Sequence, residues 1–329
     1  MRKYCLFVIL CIHSLHSIAQ DSALMNKLIQ RIAAQQAGGD TFFNVGIFPS
    51  YISNTASFSK HKKDNNIFFT ALVDYTLRNL HKERLVDSTA YNIIHSRALL
   101  AYLYFKNKKG RSTYNFWRTD TTYTFPYTNW IYKVKKNTAL PDDMDDTVLS
   151  LLAQGTDSST AAAVHAQMQQ YINDSMAEAK AIEKSYRQYK AYSVWYGKHF
   201  PVVFDVCVLS NVLHFVQQYN IHWTAADSAS LNVILLSIKS GDYIRKPLSI
   251  SPYYGNTSII LYHLARLMSD KPIPELEALK VQLLTSAVQQ FAYTKNLLEK
   301  AILCTAIMRW GYVPPTFPMP AISAIEMVN

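Results

Sequence analysis

Val202-Val203-Phe204-Asp205-Val206-Cys207-Val208-Leu209-Ser210-Asn211-Val212-Leu213-His214-Phe215-Val216 is apolar on nearly every face of a helix, and this run decides the fold class. A helix greasy all round has to be buried by its neighbours. The segment that follows, Ala226 to Lys239, has apolar residues at helical spacing and a polar opposite face, the pattern of a covering helix. The two characters alternate along the chain. Ile259 to Met268 and Leu297 to Met308 read as buried, and Gln169 to Lys190 and Glu275 to Gln290 as covering. Asp64 to Leu80 and Asp143 to Gln154 look like two further inner helices.

Punctuation supports the helical reading. Gly38, Gly110, Gly155, Gly197, Gly241 and Gly311 each follow a periodic stretch, where a left-handed residue ends a helix. Thr224-Ala225-Ala226-Asp227 reads as a capping box and Pro272 to Glu275 as a proline-led first turn. Buried and covering helices in alternation predict an all-α fold, a single α/α toroid of about five to six helical hairpins with no short recurrent motif. From 110 to 140 the pattern lapses into an irregular, aromatic-rich insertion containing Trp117 and Trp130, expected to fold over one end of the barrel.

The ends and the composition bound the function. Arg2 and Lys3, the apolar run Tyr4 to Ile12 and the small residues Ser17 and Ala19 predict a secretory signal peptide over 1–19. The expected toroid domain is 20–329, exported to a periplasmic or extracellular space, with no transmembrane anchor after the signal. Loss of Arg2 and Lys3 would leave a net charge of about +8. Basic residues gather at Lys60 to Lys63, Lys106 to Arg111 and Lys133 to Lys136. Export argues against a nucleic-acid target, so these read as a solvated surface, and a small hydrophobic molecule or a glycan is the expected ligand. Cys207 and Cys304 sit in apolar helices and read as buried thiols. His95, His165, His199, His214, His222 and His263 show no metal-ligand spacing, and no phosphate-binding glycine loop is present, so neither metal nor cofactor is expected.

The stretch with most chemistry is Leu140-Pro141-Asp142-Asp143-Met144-Asp145-Asp146-Thr147. Its four carboxylates open a helix. Capping and the helix dipole account for one or two of them, but four anions repel one another. In an apolar cavity two adjacent carboxyls do not both stay ionised, and the one that keeps its proton becomes a general acid. Aromatic residues, 13% of the chain, would then face any cation formed by proton transfer.

Asp143-Met144-Asp145-Asp146 resembles the D-x-D-D acid motif of class II terpene cyclases, and the helical alternation resembles the α/α toroid they share with protein prenyltransferases. The resemblance implies Asp145 as proton donor with Asp143 and Asp146 as supporting carboxylates, in an isomerase or lyase of that type. Asp142 to Asp146 also spell the D-D-x-x-D metal-diphosphate motif of class I synthases, which belongs to a different helical fold. Asp205 and Cys207 resemble two zinc ligands of prenyltransferases. The third, a histidine there, is Asn256 here, and His263 is displaced by about 10 Å along a helix.

In a toroid all inner helices start at one end. Asp64 and Asn65, Asp205 with Asn211, and Tyr253, Tyr254 and Asn256 would therefore converge with Asp142 to Asp146 at one mouth as ligand-binding groups. Two other functions stay open. An exported (α/α)-barrel glycosidase or lyase would pair Asp143 with Asp64 or Asp205 about 5 to 9.5 Å apart, and stack sugars on Trp117 and Trp130. A non-catalytic toroid would bind a ligand or partner at its mouth.

Overall fold

In the computed structural model, residues 24–52, 61–120, 140–174, 179, 182–197 and 200–315 are described. Of these, 58% are helical, and one two-stranded sheet is the only other regular structure, so the chain is all-α. No helix among the described residues is long and apolar enough to cross a membrane. The expected signal peptide, Trp130 and most of the aromatic insertion lie outside the described residues.

The chain divides into two compact units, residues 1–164 with 195–197, and 165–194 with 198–329. The first contains α1 (residues 24–35), β1 (Ser50–Ile52), β2 (Lys62–Asp64), α2 (Phe68–Lys82), α3 (Ser88–Tyr102) and α4 (Met144–Gln154). The strands pair antiparallel, with Ser50 opposite Asp64. Asp64 therefore ends a strand, and the helix expected to begin there starts at Phe68. Ile29 of α1, Leu77 of α2 and Tyr91 and Ile94 of α3 pack with Phe48 and Val86 into one apolar cluster.

Helix α4 is buried at every residue from Met144 to Ala153 and packs on α2. Both of its ends are closed by side chains. Asp143 caps the start, and at the other end the Arg78 guanidinium from α2 donates to the carbonyls of Leu152 (3.4 Å) and Ala153 (3.1 Å). Gly155 takes the left-handed conformation there (φ 65°), and a Cβ on it would fall 1.7 Å from Arg78 Nη1. Glycine is thus required both for the backbone turn and for the space the guanidinium fills.

Helix α5 (Ser158–Met168) runs from the first unit into the second. The second unit continues with α6 (Lys184–Arg187), α7 (Val206–Gln218), α8 (Ala225–Lys239), α9 (Asp242–Arg245) and α10 (Pro247–Ile250). It ends with α11 (Thr257–Asp270), α12 (Pro274–Glu277), α13 (Lys280–Tyr293) and α14 (Leu297–Arg309). The run that decided the fold class is α7, buried from Val206 to Gln217, and it packs against α8 and α11. Helix α11 also packs against α14, and α14 against α13.

Three expectations need correcting. Gln169 to Lys190 is not a covering helix. Its described part is irregular apart from α6, because Gln169, Asn173 and Tyr192 draw the backbone and side chains into local hydrogen bonds. Leu297 to Met308 is helical but not buried all round, since Leu298 and Met308 are more than 60% exposed and only Leu303, Ala306 and Ile307 are buried. Glu275 to Gln290 breaks into α12 and α13.

Candidate functional site

The acidic stretch is drawn inward, and each carboxylate has a different role. Asp142 is 4% exposed and its Oδ2 accepts from Asn107 Nδ2 (2.6 Å), Arg111 Nη2 (2.8 Å) and Thr113 Oγ1 (2.5 Å). Its charge is met by a cation and two neutral donors, the arrangement that a buried anion requires. Asp143 is the N-cap of α4, with its Oδ1 accepting from the amides of Asp145 (2.7 Å) and Asp146 (3.0 Å). Asp145 is also buried.

Asp146 stands apart. It is 2% exposed, and its Oδ1 has no hydrogen-bonding partner among the described residues. Burial pushes its carboxyl well above the ordinary range, and the negative charges of Asp143, Asp145 and Asp64 push it further the same way. One helical turn on, Ser150 Oγ is likewise buried without a partner among the described residues.

Asp64 reaches the cluster from β2. Burial raises its carboxyl as well, but two donors restrain the rise, Asn66 Nδ2 at 2.7 Å and Trp117 Nε1 at 2.8 Å. Of the two carboxyls, Asp146 lacks donors on its Oδ1, so the proton resides there first. Asn65 donates to the carbonyl of Phe42 (2.6 Å) and to Asn44 Oδ1 (3.1 Å), while the Oδ1 atoms of Asn65 and Asn66 are buried without partners among the described residues.

The described start of the aromatic insertion supplies the cover. Tyr114 bridges Asp143 in an antiparallel contact, and its amide donates to Thr147 Oγ1 (2.9 Å). Trp117 bridges Asn66. Its ring is 2% exposed and its N–H is bonded to Asp64, so it is a buried wedge and not the sugar platform that the sequence suggested.

The other expected ligand groups belong to the second unit. Asp205 caps α7 through the amides of Cys207 (2.8 Å) and Val208 (3.2 Å). The same carboxylate takes Ser251 Oγ (2.7 Å) and the Tyr253 amide (3.0 Å), which fastens the 251–253 turn to the start of α7. Asn256 caps α11 in the same way, through the amides of Ser258 and Ile259. Asn211 is buried and accepts from Arg266. Tyr254 lies edge-on to His263 at 4.7 Å, and Tyr253, 53% exposed, lines a cleft of about 290 Å³. Cys207 is fully buried, and among the described residues no group of three His, Cys, Asp or Glu side chains could hold a metal ion.

Sequence reasoning missed a second polar network. His165 Nε2 lies 3.0 Å from Asp227 Oδ2, and Tyr192 Oη donates to Asp227 Oδ1 at 3.0 Å. Thr224 closes its capping box on the same carboxylate. Burial would raise the Asp227 carboxyl, but His165 and the Thr224 amide outweigh it and hold the group below its usual range. Tyr192 lies just beyond the stretch read as a covering helix, in irregular chain, so no periodicity could have pointed to it.

Comparison of the chain with models of known protein families, with curated proteins and with solved structures finds no match.

Proposed function

We propose that this is an exported α/α-toroid protein in which Asp146 is a general acid acting on a hydrophobic, isoprenoid-like substrate. The observation that carries the reading is a buried carboxyl with an unbonded oxygen, facing three other carboxylates. Burial and the neighbouring anions disfavour the charged form of such a group, which suits it to hold a proton it can give away. The resemblance implies Asp145 as the donor, but Asp146 is the better candidate, because its environment disfavours the charged form so strongly.

In the proposed reaction the Asp146 proton adds to a carbon–carbon double bond and leaves a carbocation and a carboxylate. Loss of a proton from the cation completes the product, and the carboxylate is protonated again. The toroid reading rests on the contrast between α4, α7 and α11, buried almost throughout, and α13 and α14, which keep exposed faces. The export reading rests on residues 1–19.

The test is Asp146→Asn, which is neutral and nearly isosteric with the protonated acid. Wild type and variant are incubated with squalene and geranylgeraniol, and the products are read by mass spectrometry. Cyclised or isomerised product from wild type only, with unchanged far-UV ellipticity in the variant, is the expected result. Equal turnover by both proteins, or none by wild type, would reject the assignment. A purely structural role for the stretch is the second reading, and it is favoured by Asp142 and Asp143, whose hydrogen bonds already account for their charge and position.

A further inference from the structure

A separate feature of the second unit has the form of a binding site. Where α7 ends and α8 begins, the chain passes through Asn220, Ile221, His222 and Trp223, and the α11–α12 connection lies opposite. Between them is a cleft of about 740 Å³, within the roughly 300–1,000 Å³ range of small-molecule sites. We infer that this cleft binds a neutral glycan, with Trp223 as the stacking platform and Gln217, Asn220 and Asn232 as the amides that read hydroxyl groups.

Gln217 carries the argument. It is 7% exposed and donates through Nε2 to the carbonyl of Lys271 (3.3 Å), while its Oε1 is buried with no partner among the described residues. An amide oxygen left without a donor costs free energy, and a sugar hydroxyl that enters against the Gln217 side chain from the cleft would supply one as the amide turns to meet it. Trp223 is partly exposed on the same wall, where the C–H face of a pyranose can cover the indole.

The platform is rigidly founded. Thr224, the next residue, is tied through Asp227 to His165 and Tyr192, and through its Oγ1 to Gln169 Oε1 at 2.9 Å. Asn220 holds the left-handed conformation that turns the chain after α7 (φ 53°), and Lys271 Nζ bonds to its Oδ1. Charge selects against ionic ligands. The lining has one lysine, Lys271, already engaged by Asn220, and one carboxylate, Glu275. Neither an anionic polymer nor a lipid headgroup would find a concentration of opposite charge there.

The proposal is tested on the chain from residue 20 with tetraoses of cellulose, xylan, mannan, laminarin and amylose. Binding is followed by tryptophan fluorescence and titration calorimetry. The expected result is saturable binding of at least one tetraose, insensitive to salt, and weakened roughly tenfold or more by Trp223→Ala. Asn232→Leu, at an exposed position, should weaken the same tetraose and serves if the tryptophan variant does not fold. Asp146→Asn should leave the affinity unchanged, which separates this site from the acid centre. No saturable binding of any tetraose would overturn the inference. So would equal affinity in a folded Trp223→Ala or Asn232→Leu variant, or binding only of heparin or polygalacturonate that disappears with salt.

Discussion

Replacing Asp143 by alanine and by asparagine separates its two effects on α4. Its Oδ1 holds the amides of Asp145 and Asp146 at 2.7 and 3.0 Å in a site 7% exposed. Alanine strands both donors out of reach of bulk water. Loss of a cap costs about 0.5–2 kcal/mol, and the burial of the freed amides places this one near the upper end, at about 2 kcal/mol. With a urea slope of about 2 kcal/mol per molar, the unfolding midpoint falls by about 1 M. Asparagine keeps the accepting oxygen and removes only the charge, and it caps about as well as aspartate. The charge it removes is one of three that raise the Asp146 carboxyl. Because the native Asp146 group titrates above its unfolded range, its contribution to stability is fully present below the unfolded carboxylate pKa of about 3.9 and is lost as pH rises through the native value. Asp143→Asn lowers that native value, so the variant should match or exceed wild type at pH 8 and lose less stability between pH 4 and 8. Urea unfolding followed by far-UV ellipticity at several pH values measures both effects. If asparagine destabilises as much as alanine, the cap and the charge have been assigned to the wrong atoms and the reasoning fails.

Gly155→Ala should cost about 2–3 kcal/mol, since it adds left-handed strain to the eviction of Arg78 from the α4 carbonyls, and an unchanged urea midpoint would contradict that. Asp227→Asn should destabilise the chain at pH 7 by about 1–3 kcal/mol. The native Asp227 carboxyl titrates below its unfolded range, so its stabilisation is present above the unfolded value and lost as pH falls through the native one. The gap between this variant and wild type should therefore shrink on acidification, and a gap constant from pH 7 to pH 3 would refute the lowered Asp227 carboxyl. Mass-spectrometric mapping with a thiol reagent should label Cys304 before Cys207. Cys207 is fully buried, and although burial also raises the Cys304 thiol, Lys300 partly offsets this and the side chain keeps some solvent contact.

The all-α class was legible because hydrophobic periodicity reports burial directly. The runs around Val206, Ile260 and Val148 are the helices that the structure buries most completely. Capping was legible too, for the Thr224 box and for an aspartate cap at the start of α4, though which aspartate caps it, Asp143, is read only from the structure. Apolar content misled at Leu297 to Met308. There the composition is greasy on all faces, but only one face finds a neighbour among the described residues. Gln169 to Lys190 also misled, since apolar residues at helical spacing say nothing of the bonds from Asn173 and Tyr192 that hold the chain in another path. The site divides along the same line. That four aspartates cluster is visible in the sequence. That Asp146 is the one left without a donor depends on Asp64, Asn66 and Trp117, which approach from other elements.

Helix α4 has an anion at its amino end and a cation at its carboxyl end, each bonded to the free groups of the terminal turn. Fraying normally begins in such turns, where unpaired amides and carbonyls meet solvent. With both tied off and every residue between them buried, exchange with deuterium has no end from which to enter. Its amide protons should therefore be released only when the whole first unit opens, which makes this short helix a built-in gauge of that unit's global stability.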